Sequence, residues 1–224
     1  MKKLKHALLA ATFCFASSAI AQQSSTGTSQ ANASSYPNKP VTMIVAFPAG
    51  GGTDIVARKV AQSLTAAWGQ SVIVENRPGA GGNVGTAYTA KTKNDGYTLL
   101  VGMDSLFAIN PYVYARTSVD VNKDLMPVAT LGANQFVLAI NPQLPAKTLA
   151  EFIALAKTAH PPLAYASGGN GSQHHLTMEM LKSQTGMQIT HVPYKGAAAA
   201  LTGLIGGEIN MMFESGPPVI PHIK

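Results

Sequence analysis

Cysteine, charge and aromatic side chains are all scarce in this chain, and each shortage excludes something. The single cysteine, Cys14, falls in an N-terminal apolar stretch expected to be removed, so the expected mature protein has neither a disulfide nor a thiol nucleophile. Charged residues are 12% and aromatics 7% of 224 residues. Nowhere do Lys and Arg cluster with aromatics between them, which argues against a nucleic-acid partner. No later stretch reaches the roughly 18 uninterrupted apolar residues that a membrane-spanning helix needs. His, Cys, Asp and Glu show no metal-ligand spacing, and no nucleotide motif survives inspection, so no cofactor is expected.

What is present begins with a leader. Lys2, Lys3, Lys5 and His6 form a basic head, Ala7 to Ala16 an apolar run, and Ala19-Ile20-Ala21 a small-x-small cleavage site. Residues 1–21 therefore read as a secretory signal, with no membrane insertion expected once it is gone. Lipid attachment at Cys14 is disfavoured by the bulky Phe13 before it. Half of the formal +6 charge comes from the three leader lysines, leaving +3, because all ten acidic residues lie beyond Ala21. Residues 22–35, rich in Gln, Ser, Thr, Ala and Asn, read as a polar tether, and the fold is expected to begin near Tyr36.

From there, strand and helix patterns alternate. Val41 to Phe47 is an almost continuous apolar run, as in a strand buried on both faces. A helix is expected from about Ile55, with Asp54 as N-cap and Gly69 as stop. Val72 to Val74, Val84 to Ala90 and Tyr97 to Val101 continue as strand, helix and strand. Met103 to Asn122 is irregular, and two β-rich runs, Pro127 to Leu131 and Gln135 to Ile140, follow. The rhythm then resumes: a helix opened by the capping box Thr148-Leu149-Ala150-Glu151, a strand over Leu163 to Ala166 and a helix over Gln173 to Thr185. Met187 to Tyr194, Ala197 to Ile205 and Ile209 to Phe213 follow as strand, helix and strand. The expected fold class is α/β with two lobes around a cleft: a first lobe over 36–102, a crossover over 103–134 and a second lobe over 135–224.

Three glycine loops each follow a strand and open a helix: Phe47-Pro48-Ala49-Gly50-Gly51-Gly52-Thr53-Asp54, Glu75 to Gly85, and Ser167-Gly168-Gly169-Asn170-Gly171-Ser172. Such helix starts bind carboxylate or phosphate through N–H groups that lack intrahelical partners. The first loop lacks the Gly-Lys-Ser/Thr of a phosphate loop, Val84 stands where the dinucleotide fingerprint needs its last glycine, and no Gly-x-Ser-x-Gly occurs. Thr53, Ser167 and Ser172 are candidate neutral donors. Asp54 is either a helix cap or a ligand acceptor, with the cap favoured, and Arg77 is expected to pair locally with Glu75. His174 and His175 point about 100° apart on a helix and cannot share a metal. His175 is expected to bond near its helix start.

These residues resemble the solute-binding receptors of tripartite tricarboxylate transporters, the Bug family. The resemblance runs through Tyr36-Pro37-x-Lys39-Pro40, Phe47-Pro48-x-Gly50-Gly51-x-Thr53-Asp54, Glu75-Asn76-Arg77-Pro78-Gly79-Ala80-Gly81-Gly82-x-x-Gly85 and Asp95-Gly96-Tyr97-Thr98-Leu99. Gly171-Ser172-x-x-His175-Leu176 and His191-Val192-Pro193-Tyr194-Lys195-Gly196 complete it. It implies a periplasmic binding protein-like fold, a small organic carboxylate as ligand, and the membrane subunits of a transporter as partner, with no enzyme activity. Carried over by position, the implied contacts are Ala49, Gly50, Gly51, Thr53, Asp54, Gly79, Ala80, Gly81, Gly82 and Asn83 on the first lobe. Ser167, Gly168 and Ser172 lie on the second, and Ser105 near the crossover. Met103-Asp104-Ser105-Leu106-Phe107 departs from the family pattern, so ligand preference is not carried across it. Relatives continue past the position of Lys224, and a protein ending there is expected to have an incomplete second lobe and hinge. An exported enzyme on the same scaffold and a sensor for a membrane signalling protein are the alternatives.

Overall fold

The computed structural model describes Tyr36–Ile223, and the expected leader and tether lie outside the described residues. From Pro37 on, the chain forms one compact unit holding two sheets. The first sheet comes from strand β1 (Val41–Val45), helix α1 (Gly52–Trp68), β2 (Val72–Asn76), α2 (Asn83–Ala90) and β3 (Thr98–Val101). Its order is β2-β1-β3, all parallel. The near-continuous apolar run of β1 fits this central place, with Val41, Ile44 and Val45 fully buried. Met43, Val45 and Val101 pack against Ala57 and Ala61 of α1, and α1 stops at Gly69, whose left-handed backbone (φ 65°) lets its N–H reach Thr65 O.

Three one-turn helices then occupy the expected irregular stretch: α3 (Ser105–Ala108), α4 (Asn110–Val113) and α5 (Val121–Asp124). Pro127 to Leu131, expected to be a strand, is not one. It has no strand beside it among the described residues, and Met126 and Val128 are 84% and 78% exposed. A β-rich composition forms a ladder only where a partner strand supplies the hydrogen bonds.

The second sheet comes from β4 (Phe136–Ile140), α6 (Leu149–Thr158), β5 (Ala164–Ser167), α7 (Gln173–Thr185), β6 (Thr190–Pro193), α8 (Ala197–Gly206) and β7 (Met211–Ser215), followed by α9 (Gly216–Val219). Its order is β4-β7-β5-β6, with β4 antiparallel to β7 and the other pairs parallel. One face buries Phe152, Tyr165, Met178, Met187 and Met211; the other buries Ala166, Ala200, Leu204, Ile209 and Met212. Thr148 caps α6 by accepting from Glu151 N at 3.2 Å, while the Glu151 carboxylate accepts from Lys147 N at 2.7 Å. The capping box thus closes one residue earlier than its usual form.

Candidate functional site: the first-lobe glycine loops and the second-lobe histidine cluster

The first glycine loop is shaped by Asp54, but not as a helix cap. Gly51 is the N-cap of α1 and no side chain caps the helix. Asp54 lies in the first turn, 3% exposed, where it draws the loop and β2 together. Its Oδ2 accepts from Gly50 N and Arg58 Nε, both at 3.0 Å, and its Oδ1 from Asn76 Nδ2 at 2.9 Å. Asn76 Nδ2 also donates to Phe47 O at 3.0 Å. Burial pushes the Asp54 carboxyl up, but the bonds from Arg58, Gly50 and Asn76 and the Arg58 charge outweigh it and hold the group below the ordinary carboxylate range. Both oxygens are therefore engaged within the protein. The N–H groups of the first turn of α1 are the ones left for an anion.

The second loop lies beside the first at the carboxyl ends of β1 and β2. Arg77 N donates to Val45 O at 2.8 Å, and Gly82 packs against Phe47 and Leu106 with φ 96°, an approach a side chain would block. Ala80–Gly82 form a 3-10 turn leading into α2. The one-turn helix α4 fastens it: Asn110, 2% exposed, donates through Nδ2 to Gly81 O at 3.0 Å and Asn83 Oδ1 at 2.8 Å. The Tyr114 hydroxyl lies against Gly81. Arg77 pairs with Glu75 at 2.6 Å, as expected, and its guanidinium lies over the Tyr88 ring.

The third loop differs from the expectation of hydroxyl donors. Ser167 is fully buried, its Oγ accepting from Gly169 N at 3.1 Å and lying 2.7 Å from His191 Nε2. The Ser167 hydroxyl is thus engaged with the third loop and with His191, which is itself half-buried. Ser172 Oγ accepts from His175 N at 3.3 Å and so caps α7. His175 Nδ1 accepts from Gly171 N at 3.1 Å, close to the helix start as expected. The His175 and His191 rings stack at 4.0 Å, and burial together with the His175 charge lowers the His191 pKa. Tyr165 OH donates to Glu179.

Four contacts bring the lobes' loops together. Gln173 Nε2 donates to Asp104 Oδ1. Gly171 packs on Val113, Gly196 on Pro48, and Gly52 on the Ser215 hydroxyl. Ser215 also donates through N and Oγ to Glu214 Oε1 at 2.7 and 2.8 Å. Glu214 is 2% exposed. Burial raises its pKa, and His174 with the two Ser215 bonds more than offsets this. Ser105 is buried at the start of α3, while Ala49 and Gly79 are exposed at the loop tips. A separate apolar groove of about 400 Å³, lined by Ile55, Leu201, Ile205, Pro217 and Pro218, shares only Gly50 with the expected contacts.

The model of the tripartite tricarboxylate transporter family receptor matches residues 56–224. The chain belongs to that family. BugT of Bordetella pertussis is 41% identical over 194 residues, which is 86% of this chain and 60% of BugT. Among solved structures, R. palustris Rpa4515 with adipate superposes with a TM-score of 0.79 at 36% identity, over 83% of this chain and 62% of that one. MatC from Rhodopseudomonas palustris with bound malate gives 0.75 at 30% identity, over 83% and 63%. This receptor-family chain therefore spans about three fifths of such relatives. Its α/β architecture with two sheets is that of solved periplasmic binding proteins, and its relatives are binding proteins. Sequence reasoning missed Asn110, Tyr114 and Glu214 in this receptor fold. Glu214 carried a usable signal, since a carboxylate ending a buried strand requires a partner.

Proposed function

We propose that this chain is a periplasmic receptor that captures a small organic carboxylate and hands it to the membrane subunits of a tripartite tricarboxylate-type transporter. The observation that carries the reading is the pairing of two glycine loops at the carboxyl ends of β1 and β2. Each opens a helix that no side chain caps, and neither places a cation among its glycines. Neutral N–H donors suit a carboxylate, which keeps its charge and is easily released again. Adipate and malate, carried by Rpa4515 and MatC, are ligands of this class.

The ligand's head group is assigned to Ala49, Gly50, Gly51 and Thr53 of the first loop and Gly79, Ala80, Gly81, Gly82 and Asn83 of the second. Asp54 acts through Gly50, whose N–H it fixes. The second-lobe contacts are Gly168 and Ser172, with the backbone of Ser167, and Ser105 stands at the crossover. Calorimetric titration and thermal melts with adipate, malate, citrate, glutamate and benzoate test the reading. At least one is expected to raise Tm in proportion to the logarithm of its concentration above Kd. No heat and no shift with any of the five overturns it.

A further inference from the structure

The crossover carries a hydroxyl that this function leaves without a role. Asn110 opens the one-turn helix α4 and Tyr114 closes it, with Tyr114 N donating to Asn110 O at 3.0 Å. Four residues apart on one turn, the two side chains reach the same neighbour, the second glycine loop. Asn110 spends its amide on Gly81 O and Asn83 Oδ1. Tyr114, half-buried, lays its hydroxyl and ring edge against the same glycine: a Cβ on Gly81 would stand 2.7 Å from the hydroxyl oxygen and 3.1 Å from Cε2. Gly81 has φ 63° and no side chain, which lets the ring come this near. From the second lobe, Gly171 packs on Val113, so this turn stands between the second and third loops.

Two observations give that hydroxyl a use. The N–H groups of Gly82 and Val84 donate to Gly79 O at 3.0 and 3.4 Å, and that of Asn83 donates to Ala80 O. Three backbone donors of the second loop are therefore already spent on the loop itself. The Tyr114 hydroxyl, in contrast, has no hydrogen-bond partner among the described residues, and Gly81 O beside it is taken by Asn110. We propose that Tyr114 is a binding residue of the receptor site, its hydroxyl donating to the ligand carboxylate seated at the second glycine loop. The inference rests on the carboxylate-receptor reading and adds to it a side-chain donor from the crossover, where the loop's own backbone falls short.

The chemistry suits the place. A hydroxyl donor adds no counter-charge, so the mouth keeps the neutral character of its loops, and a hydrogen bond to an ionised acceptor is stronger than one between neutral groups. A tyrosine brings that donor on a ring with few rotatable bonds, and Gly81 fixes the ring's position before any ligand arrives. Tyr112, two residues earlier on the same turn, is 86% exposed and supplies an internal control.

The test is calorimetric titration with adipate and malate of the wild type, Tyr114→Phe and Tyr112→Phe, with thermal melts of each chain free of ligand. Tyr114→Phe removes one oxygen and keeps the ring against Gly81. It is expected to weaken each carboxylate that the wild type binds by about tenfold or more, the worth of a hydrogen bond to a charged group. Its ligand-free Tm should stay within about 2 °C of wild type, because the deleted hydroxyl bonds nothing in the protein. Tyr112→Phe should leave affinity within about twofold. A Tyr114→Phe affinity within about threefold of wild type overturns the inference and leaves the receptor reading standing. So does a ligand-free Tm that falls by more than about 5 °C, since the hydroxyl would then serve the fold rather than the ligand. Failure of the wild type to bind any carboxylate overturns the two together.

Discussion

The two lobes hold their glycine loops in different chemical surroundings. On the first lobe the glycine loops are fixed by Asp54, Asn76 and Asn110. These groups keep one protonation state near neutrality, Asp54 because its pKa is lowered. On the second lobe, three histidines and the carboxylates of Glu179 and Glu214 crowd around α7. Side-chain amides and a carboxylate of lowered pKa thus hold the first lobe's loops, whereas the third loop lies beside imidazole rings and carboxylates.

The strongest way to break this comparison is to disturb the first lobe by volume alone. An added methyl at Gly85 would stand 2.8 Å from Arg77 O and 2.9 Å from Ala46 Cα, so backbone has to part. Gly85→Ala is expected to cost about 2–3 kcal/mol in urea unfolding and to weaken every carboxylate alike. Stability within about 0.5 kcal/mol of wild type would show that packing does not set these loops.

Acid sharpens the contrast. His191 has a lowered pKa, so the unfolded chain takes up that proton first, and the stability tied to neutral His191 is lost as pH falls below the ordinary histidine value of 6.5. Asp54 and Glu214, also lowered, contribute stability that is fully present above their ordinary values of 3.8 and 4.5 and is lost only as pH falls through their folded pKa values. Melts between pH 7.5 and 5 should therefore show a decline that His191→Gln reduces. An unchanged slope in that variant would place the acid sensitivity elsewhere. The smallest effect is expected at the Arg77–Glu75 pair, whose side chains are 38% and 42% exposed. Glu75→Gln should change stability by less than about 0.5 kcal/mol, and less still in high salt.

Much of the fold was legible because the relevant signals are local. The apolar run from Val41 predicts a central strand, Gly69 and Gly186 mark helix ends, and the three glycine loops fall between strand and helix. Asp54 misled because Asp is a common N-cap, whereas here its carboxylate is claimed by Arg58 and by Asn76, 22 residues away. The run from Pro127 to Leu131 misled for a related reason: a strand depends on a neighbour, which composition does not reveal. Asn110 fastening the second loop, and Glu214 meeting His174 from another element, depend on chain crossings that no spacing rule encodes.

The glycine triplet repays one more look, for its members have different reasons to be small. Gly50 has φ 81°, while the nearest obstacle to a side chain on Gly51 is 3.7 Å away. Gly52 needs no unusual torsion, yet a Cβ there would collide with the Ser215 hydroxyl. The gap between α1 and the end of β7 is thus gauged by a hydrogen atom. The same glycine that leaves the start of α1 without a side-chain cap also sets how closely α1 and β7 can sit, so one missing methyl serves a helix end and an inter-element contact at once.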